Sequence, residues 1–595
     1  MKRNPVLTKF FAALTSQEAK IAELFKHDNI GQLLKAAISE MDWYRYNFLR
    51  IDEMSREQEE HSYILQIGIT RLVQLALKMR PSFDFPVITF VRHPSVSLPT
   101  LQILGALGMI EHGRRVAQSV LAGIGQIEQI GDNEFRIMLP EKVLDDEHYE
   151  RAVVAHYSNQ SRQFFSEIFK KKVAGKIQGE VEDALHELVY PWKEHFIGYG
   201  ATPILDEYFF SVAYAELQVH DGFDSFNGEI EFGGIPYQTY LLALTFLVAI
   251  FIRHEQFAEA LVRKNPTSKL ENVLTITSDT PEFLQNLVEA LNHFGQPIQG
   301  YKRVGLGDAQ KIFAVLSVSR DNLALLENPG SAVPLLIQSS EQGFIRCLAG
   351  AQLSPVKFLL DSLRHRYPGD YDRNQQTREK SMQIGLARVL DGAIPNLICR
   401  ENIKIKVDGK LLTDLDAVVI DGKAGIVFLC QLKYQELYGA DLHAKRERTT
   451  RLKEQVVSWL GALDHWAKSV DDATMRATLG LPKSLGNFSI LRVVISRHYA
   501  YPLKDVALGD GTTYANWAQF YNAVELAKKD AGDSASLGVV FDKIEEMIKP
   551  EQPHEHEVET RTRWTIDDLV FVTQQKGDGD GDSRGATALS ALKLA

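Results

Sequence analysis

The amino-acid sequence predicts an α+β multidomain protein, with an α-rich N-terminal region followed by a C-terminal α/β domain. Three observations carry this. Apolar residues between Thr8 and about Lys78 recur at helical spacing. From Leu353 onward, helical stretches alternate with short β-branched runs, the rhythm of a sheet covered by helices. The length of 595 residues exceeds what one core supports, so two or three domains are expected. The expected division is 1–198, α-rich with a β-hairpin near 125–139; 199–351, mostly helical; 352–550, the α/β domain; and 551–595, an acidic linker and disordered tail.

The first helices rest on Ile21, Leu24, Phe25, Ile30, Leu33, Leu34 and Ile38, and then on Ile64, Ile67, Ile69 and Leu72. Four prolines between Pro81 and Pro99 predict a loop holding a short strand, with a helix resuming from Leu101 to Ile124. Gly125 to Leu139 alternates apolar and polar residues about a Gly131-Asp132-Asn133 turn, a hairpin pattern. Helix is expected from His148 to about His195, and Gly198 to Ile204 is a candidate boundary. Tyr240 to Ile252 is apolar but too short to span a bilayer, so it reads as a buried helix. Thr280 as N-cap, Pro281 at the first position and Gly295 at the end delimit a further helix. In the C-terminal half, a helix at Thr377–Leu390 leads to a strand at Arg400–Val407 and a helix at Leu442–Ala467. A strand at Ser489–Ser496, a helix at Asn516–Lys529 and a short strand at Gly538–Phe541 complete the pattern.

Composition narrows the function classes. Three cysteines without ligand spacing argue for a reducing compartment and against a disulfide framework or a zinc site. The N-terminus lacks a signal-peptide core, and no apolar run is long enough for a membrane, so a cytoplasmic protein is expected. A net charge of −11 steers no nucleic acid globally, so any such affinity must come from a local basic surface.

The most informative stretch is Leu411 to Gln435. It reads as two strands joined by the turn Asp421-Gly422-Lys423-Ala424-Gly425. Alternate strand residues share a face, so Asp414, Asp416, Val418 and Ile420 are expected to point together, and Gln431 with Lys433 on the next strand. Such polar groups in buried strands are costly unless compensated. A hard cation with its water would compensate them, and so would a plain Asp–Lys pair. Asp414 is an alternative to Asp416 as the ligand. Glu379 lies three residues before Met382, on the inward stripe of its helix. Gln455 precedes Trp459 by four residues on the helix that contains AKRERTTRLK. Lys445, Arg448 and Arg451 on that helix form either a phosphate-tracking face or a solvated one.

Asp416 followed fifteen residues later by Gln431-Leu432-Lys433 resembles the PD-(D/E)xK nuclease superfamily, with Gln in place of the second acid. Glu379 matches the upstream glutamate of many members, and Gln455 with Trp459 is similar to the QxxxY element of the RecB-like branch. The motifs span Thr377 to Trp459, and the resemblance extends over about Leu353 to Pro550 as a restriction-endonuclease-like domain with a helix, three strands, helix, strand core. It implies a Mg²⁺- or Mn²⁺-dependent DNA endonuclease, with RNA as a second substrate class. Asp416, the Gln431 side-chain oxygen and the Leu432 carbonyl would hold the metal, Lys433 would orient the attacking water, and Glu379 and Gln455 would assist. Lys445, Arg448 and Arg451 would contact the nucleic acid. The implied setting is restriction, phage defence or DNA processing, with a partner protein or a homo-oligomer for activation and no membrane. The rival expectation is an inactive module of the same fold that binds nucleic acid or a protein. Residues 1–351 disclose no task of their own.

Overall fold

The computed structural model describes residues 4–26, 30–48, 56–80, 91–139, 175–220, 225–327, 331–435, 442–548, 561–575 and 587–590. The N-terminal body opens with helices α1 (Pro5–Glu23), α2 (Ile30–Phe48), α3 (Arg56–Met79) and α4 (Pro94–Leu121). Asn4 caps α1, its Oδ1 accepting from the Val6 N–H at 3.0 Å, with Pro5 in the first position. Helix α4 starts seven residues before the expected Leu101 and takes in Pro99. Most of the proline-rich stretch that was expected to hold a strand lies outside the described residues. Helices α3 and α4 approach so closely that a Cβ on Gly68 would lie 2.2 Å from the Leu104 carbonyl oxygen, and one on Gly108 2.1 Å from that of Ile64. Only glycine fits either position.

A hairpin pairs β1 (Gln126–Gly131) with β2 (Glu134–Leu139). The expected helix to His195 is shorter. Helix α5 (Gly175–Leu188) gives way to a small hairpin of Val189–Trp192 and Phe196–Tyr199, whose turn residues Lys193 and Glu194 adopt positive φ. Pro191 has no N–H to continue a helix.

Helices α6 (Pro203–His220), α7 (Tyr237–Lys264), α8 (Thr280–Gly295), α9 (Leu306–Leu316) and α10 (Pro355–Arg366) follow, around a small sheet of 277–279, 343–346, 336–338 and 317–318. Asp279, not Thr280, caps α8, accepting from the Glu282 N–H at 2.9 Å. Helix α7 is longer than its apolar run suggested. It is long and apolar enough to cross a membrane by composition, but 72% of that apolar window is buried in the protein. It is a core helix here.

One hydrophobic core extends from Leu7 through Tyr371, so neither 198 nor 351 divides it. Helix α10 contributes Phe358, Leu359 and Leu363 to that core, which moves the start of the C-terminal unit to about Arg378. The unit contains α11 (Arg378–Asp391), β3 (Ile398–Val407), β4 (Lys410–Asp421), β5 (Ile426–Lys433), α12 (Leu442–Ser469), β6 (Ser489–Ser496), β7 (Thr512–Asn516), α13 (Trp517–Ala531) and α14 (Leu537–Met547). Its sheet runs in the order β3-β4-β5-β6-β7, antiparallel through β5 and parallel from β5 to β7. Helices α11, α13 and α14 cover one face and α12 the other, each over its own apolar core. The expected strand at Gly538–Phe541 is the first turn of α14. Ser536 caps that helix, and Leu537, Val540, Phe541, Ile544 and Met547 recur at helical spacing.

The segment expected to be linker and disordered tail contributes strands instead. Strands β8 (Arg561–Ile566), β9 (Leu569–Gln575) and β10 (Thr587–Ser590) extend the N-terminal hairpin into a sheet of order β1-β2-β9-β8-β10. Phe571 packs against Phe10 with ring centroids 5.5 Å apart. Alternating apolar residues such as Trp564 and Ile566 need a partner sheet, and the N-terminal body supplies it. The C-terminal unit is therefore bracketed in sequence by two parts of one body. The expected linker 551–560 lies outside the described residues.

Candidate active site

The strands β4 and β5 are joined by the turn at Asp421. Asp421 Oδ1 accepts from the N–H groups of Lys423 (3.1 Å) and Ala424 (2.9 Å), and Gly425 turns the chain at φ 67°. From there the strands pair as far as Ala417 opposite Cys430 and then part. Beyond that point β4 stays with β3 down to Lys410, and β5 stays with β6 up to Lys433. Asp416 and Gln431 stand at the mouth of this fork.

Asp416 is 4% exposed, and its Oδ2 accepts from Gln431 Nε2 at 2.5 Å and from the Leu432 N–H at 2.6 Å. The carboxylate thus replaces the strand ladder where the ladder ends. Burial pushes its carboxyl up to about 7, against the pull of the Lys433 charge and the Leu432 N–H, while Glu379 and Asp414 raise it further. On β5, the Lys433 carbonyl accepts from Arg497 on the β6 side (2.9 Å). Directions alternate along a strand, so the Leu432 N–H and carbonyl both face β4, across the fork.

The expected common face of Asp414, Asp416, Val418 and Ile420 does not hold along β4. Leu415 packs in the same core as Val418 and Ile420, beneath α12, whereas Ala417 and Val419 lie in the other core. The alternation breaks at Asp416. Opposite it, between the pairs Glu401–Ala417 and Ile403–Leu415, Asn402 on β3 adopts φ 55°. Asp414 is exposed, and its carbonyl accepts from Trp459 Nε1 at 3.2 Å, which ties α12 to the outer limb of the fork.

Glu379 is exposed rather than inward. Arg378, Met382, Leu386 and Leu390 take the buried stripe of α11, leaving Glu379 at its edge within electrostatic reach of Asp416. Gln455 is also exposed, one turn before Trp459, and makes no hydrogen bond among the described residues. Arg448 is half-buried. Exposed Arg451 lines a cleft of about 460 Å³ with Arg446, Thr450 and Ala122 at the end of α4, alongside Glu447 and Glu454. Lys445 lies on α12, but its side chain is outside the described residues.

The chain was compared with known protein families, with characterised proteins and with solved structures. Nothing matches it.

The arrangement offers few oxygen donors to a metal: the second oxygen of Asp416, the Leu432 carbonyl, and Gln431 once its amide turns its oxygen to the fork. Among the described residues no group of three or more His, Cys, Asp or Glu side chains is placed to hold an ion. This donor set suits a hard cation that keeps most of its own water.

Two neighbours went unnoticed in the sequence. Gln383 on α11 is 2% exposed, and its Nε2 donates to the Asp416 carbonyl at 2.6 Å and to Asn402 Oδ1 at 3.0 Å. A glutamine amid the apolar stripe Met382–Leu386, four residues after Glu379, was the available signal. Arg378 lies over the rings of Phe226 (4.4 Å), Tyr434 (4.8 Å) and Tyr371 (4.9 Å), and the Tyr434 hydroxyl donates to Ser225 Oγ at 3.1 Å. The residue next to Lys433 is therefore anchored to the N-terminal body.

Proposed function

We propose that the C-terminal unit is a metal-dependent nuclease of the PD-(D/E)xK type that hydrolyses phosphodiester bonds of DNA. The observation that carries this reading is the buried Asp416 carboxylate at the fork, bonded to Gln431 and the Leu432 N–H, with Lys433 following on the same strand. The sheet order, two antiparallel strands leading into three parallel ones with helices on both faces, supports the same reading. Asp416, the Leu432 carbonyl and Gln431 would hold Mg²⁺ or Mn²⁺, which when bound supplies Lewis-acid stabilisation and a more acidic water. Lys433 orients the attacking water and offsets charge that develops on the phosphate. Glu379 accepts a hydrogen bond from that water. Arg446 and Arg451, which line the cleft on α12, attract the phosphate backbone.

The test is cleavage of plasmid, linear duplex, single-stranded DNA and RNA with Mg²⁺ or Mn²⁺, beside Asp416→Ala and Lys433→Ala. Cutting by the wild type that both variants lose, with folding intact, supports the proposal. Cutting that survives both refutes this site. DNA binding that is equal in wild type and Asp416→Ala, with neither cutting nor binding Mn²⁺, favours the non-catalytic module instead.

A further inference from the structure

Gln383 joins three elements at one point. It sits on α11, one turn after Glu379, and its amide nitrogen donates to the β4 backbone at Asp416 and to the Asn402 side chain of β3. Those two residues lie between the register pairs Glu401–Ala417 and Ile403–Leu415, where the side-chain alternation of β4 breaks. The Gln383 Oε1 is buried and accepts no hydrogen bond from the described residues. A buried carbonyl of this kind leaves an acceptor open to a polar group outside the protein's own network. The oxygen can only accept, so it suits a donor such as a water on a hydrated divalent cation and repels a phosphate oxygen. Gln383 thus ties a helix to the strand that carries Asp416, whose carboxylate in turn accepts from Leu432 on the neighbouring strand.

We propose that Gln383 is a positioning residue of the candidate site: it sets the Asp416 backbone at the fork and offers Oε1 to a water of the bound divalent cation. This rests on the nuclease reading and deepens it by assigning the outer hydration of the cation. Groups that position metal ligands in this way typically cost about 10–100-fold in affinity or activity when removed.

The experiment uses the full chain. Mn²⁺ binding is titrated by electron paramagnetic resonance in wild type, Asp416→Ala, Gln383→Met and Gln383→Glu, with thermal melts of each. Hydrogen exchange of the peptides covering 410–417 is measured without metal. Wild-type Mn²⁺ binding that Asp416→Ala abolishes upholds the nuclease reading; its absence sinks that reading and the hydration role with it, and leaves the positioning role to the exchange measurement. Gln383→Met is expected to weaken Mn²⁺ binding by about tenfold or more and to lower kcat similarly with KM for DNA unchanged. It is also expected to speed exchange across 410–417 and not elsewhere. Wild-type-like exchange in a folded Gln383→Met overturns the positioning role whether or not metal binds. Wild-type-like Mn²⁺ affinity overturns the hydration role. Where Gln383→Met does not fold, Gln383→Glu decides. It keeps an acceptor but loses both donors, so exchange across 410–417 should rise while Mn²⁺ binding stays within about tenfold of wild type. Unchanged exchange in that variant overturns the assignment.

Discussion

Asp416 illustrates how one residue sets its own pH dependence. The carboxyl of an unfolded chain titrates near 3.9, whereas burial raises this one to about 7. Between those values the folded protein holds a proton that the unfolded chain has released, so stability falls as pH rises through that window. Asp416→Asn should therefore stabilise the metal-free protein at pH 8, by up to the order of 4 kcal/mol, and leave it unchanged below pH 4. Denaturant melts at the two pH values read this directly. A protonated Asp416 is a poor metal ligand, so the proposed cleavage should decline as pH drops below 7. His254 runs the other way. It is buried between the Tyr199 hydroxyl (2.9 Å) and the Val273 carbonyl (2.7 Å), and burial, aided by the nearby Arg346 charge, pushes it down to about 4. Here the unfolded chain binds the extra proton between roughly pH 6.5 and 4, so stability is lost as pH falls across that range, by the order of 3 kcal/mol. In His254→Gln the same acid-side melts should show a much smaller loss.

Among the elements, β3 and α12 carry the sharpest consequences. Asn402 holds φ 55° in mid-strand, a conformation that costs ordinary residues about 1–2 kcal/mol and glycine almost nothing. Asn402→Ala and Asn402→Gly lose the same bond from Gln383, so their difference isolates the backbone term. The glycine variant should be the more stable by about 1 kcal/mol in urea melts. On α12, the exposed Arg446 and Arg451 lie outside the apolar core, which is built from Leu452, Val456, Trp459 and Leu463. Replacing these two arginines by alanine should leave the melt nearly unchanged while flattening the salt dependence of the proposed DNA binding, the slope of log K against log salt dropping by roughly 2. An unchanged slope would place the phosphate track elsewhere.

At the scale of the whole molecule, the returning C-terminal strands matter most. Strand β9 pairs with β2 in parallel from Val570 to Gln575, and Trp564 is 4% exposed with its Nε1 donating to Thr573 Oγ1. Trp564→Ala should cost about 3–5 kcal/mol, in line with large-to-small changes in packed cores. A chain ending at residue 550 should lose its protection within 1–139, because β2 would present an unpaired edge and Phe10 and Phe135 would lose Phe571. Limited proteolysis compares the two chains. Digestion confined to the new C-terminus would show that the N-terminal body stands without these strands.

Local information sufficed where a residue's neighbours in sequence are also its neighbours in space. The Asp421–Gly425 turn, the Ser489–Ser496 strand and the strand pair bearing Asp416 and Gln431 were legible because turn chemistry and β-branched runs act within a few residues. The same holds for the long helices, whose apolar spacing is written in the chain. Tertiary structure decided the rest. Gln383 and Asn402 gain their place only once α11 and β3 meet β4, and Glu379 lost its expected inward position because Arg378 and Met382 take the buried stripe. Likewise, 561–575 looked like a linker because its alternating strands have no partner within reach in sequence, the hairpin they join lying more than four hundred residues earlier. A strand's stability is settled by the edge it pairs with, and that edge can come from anywhere in the chain.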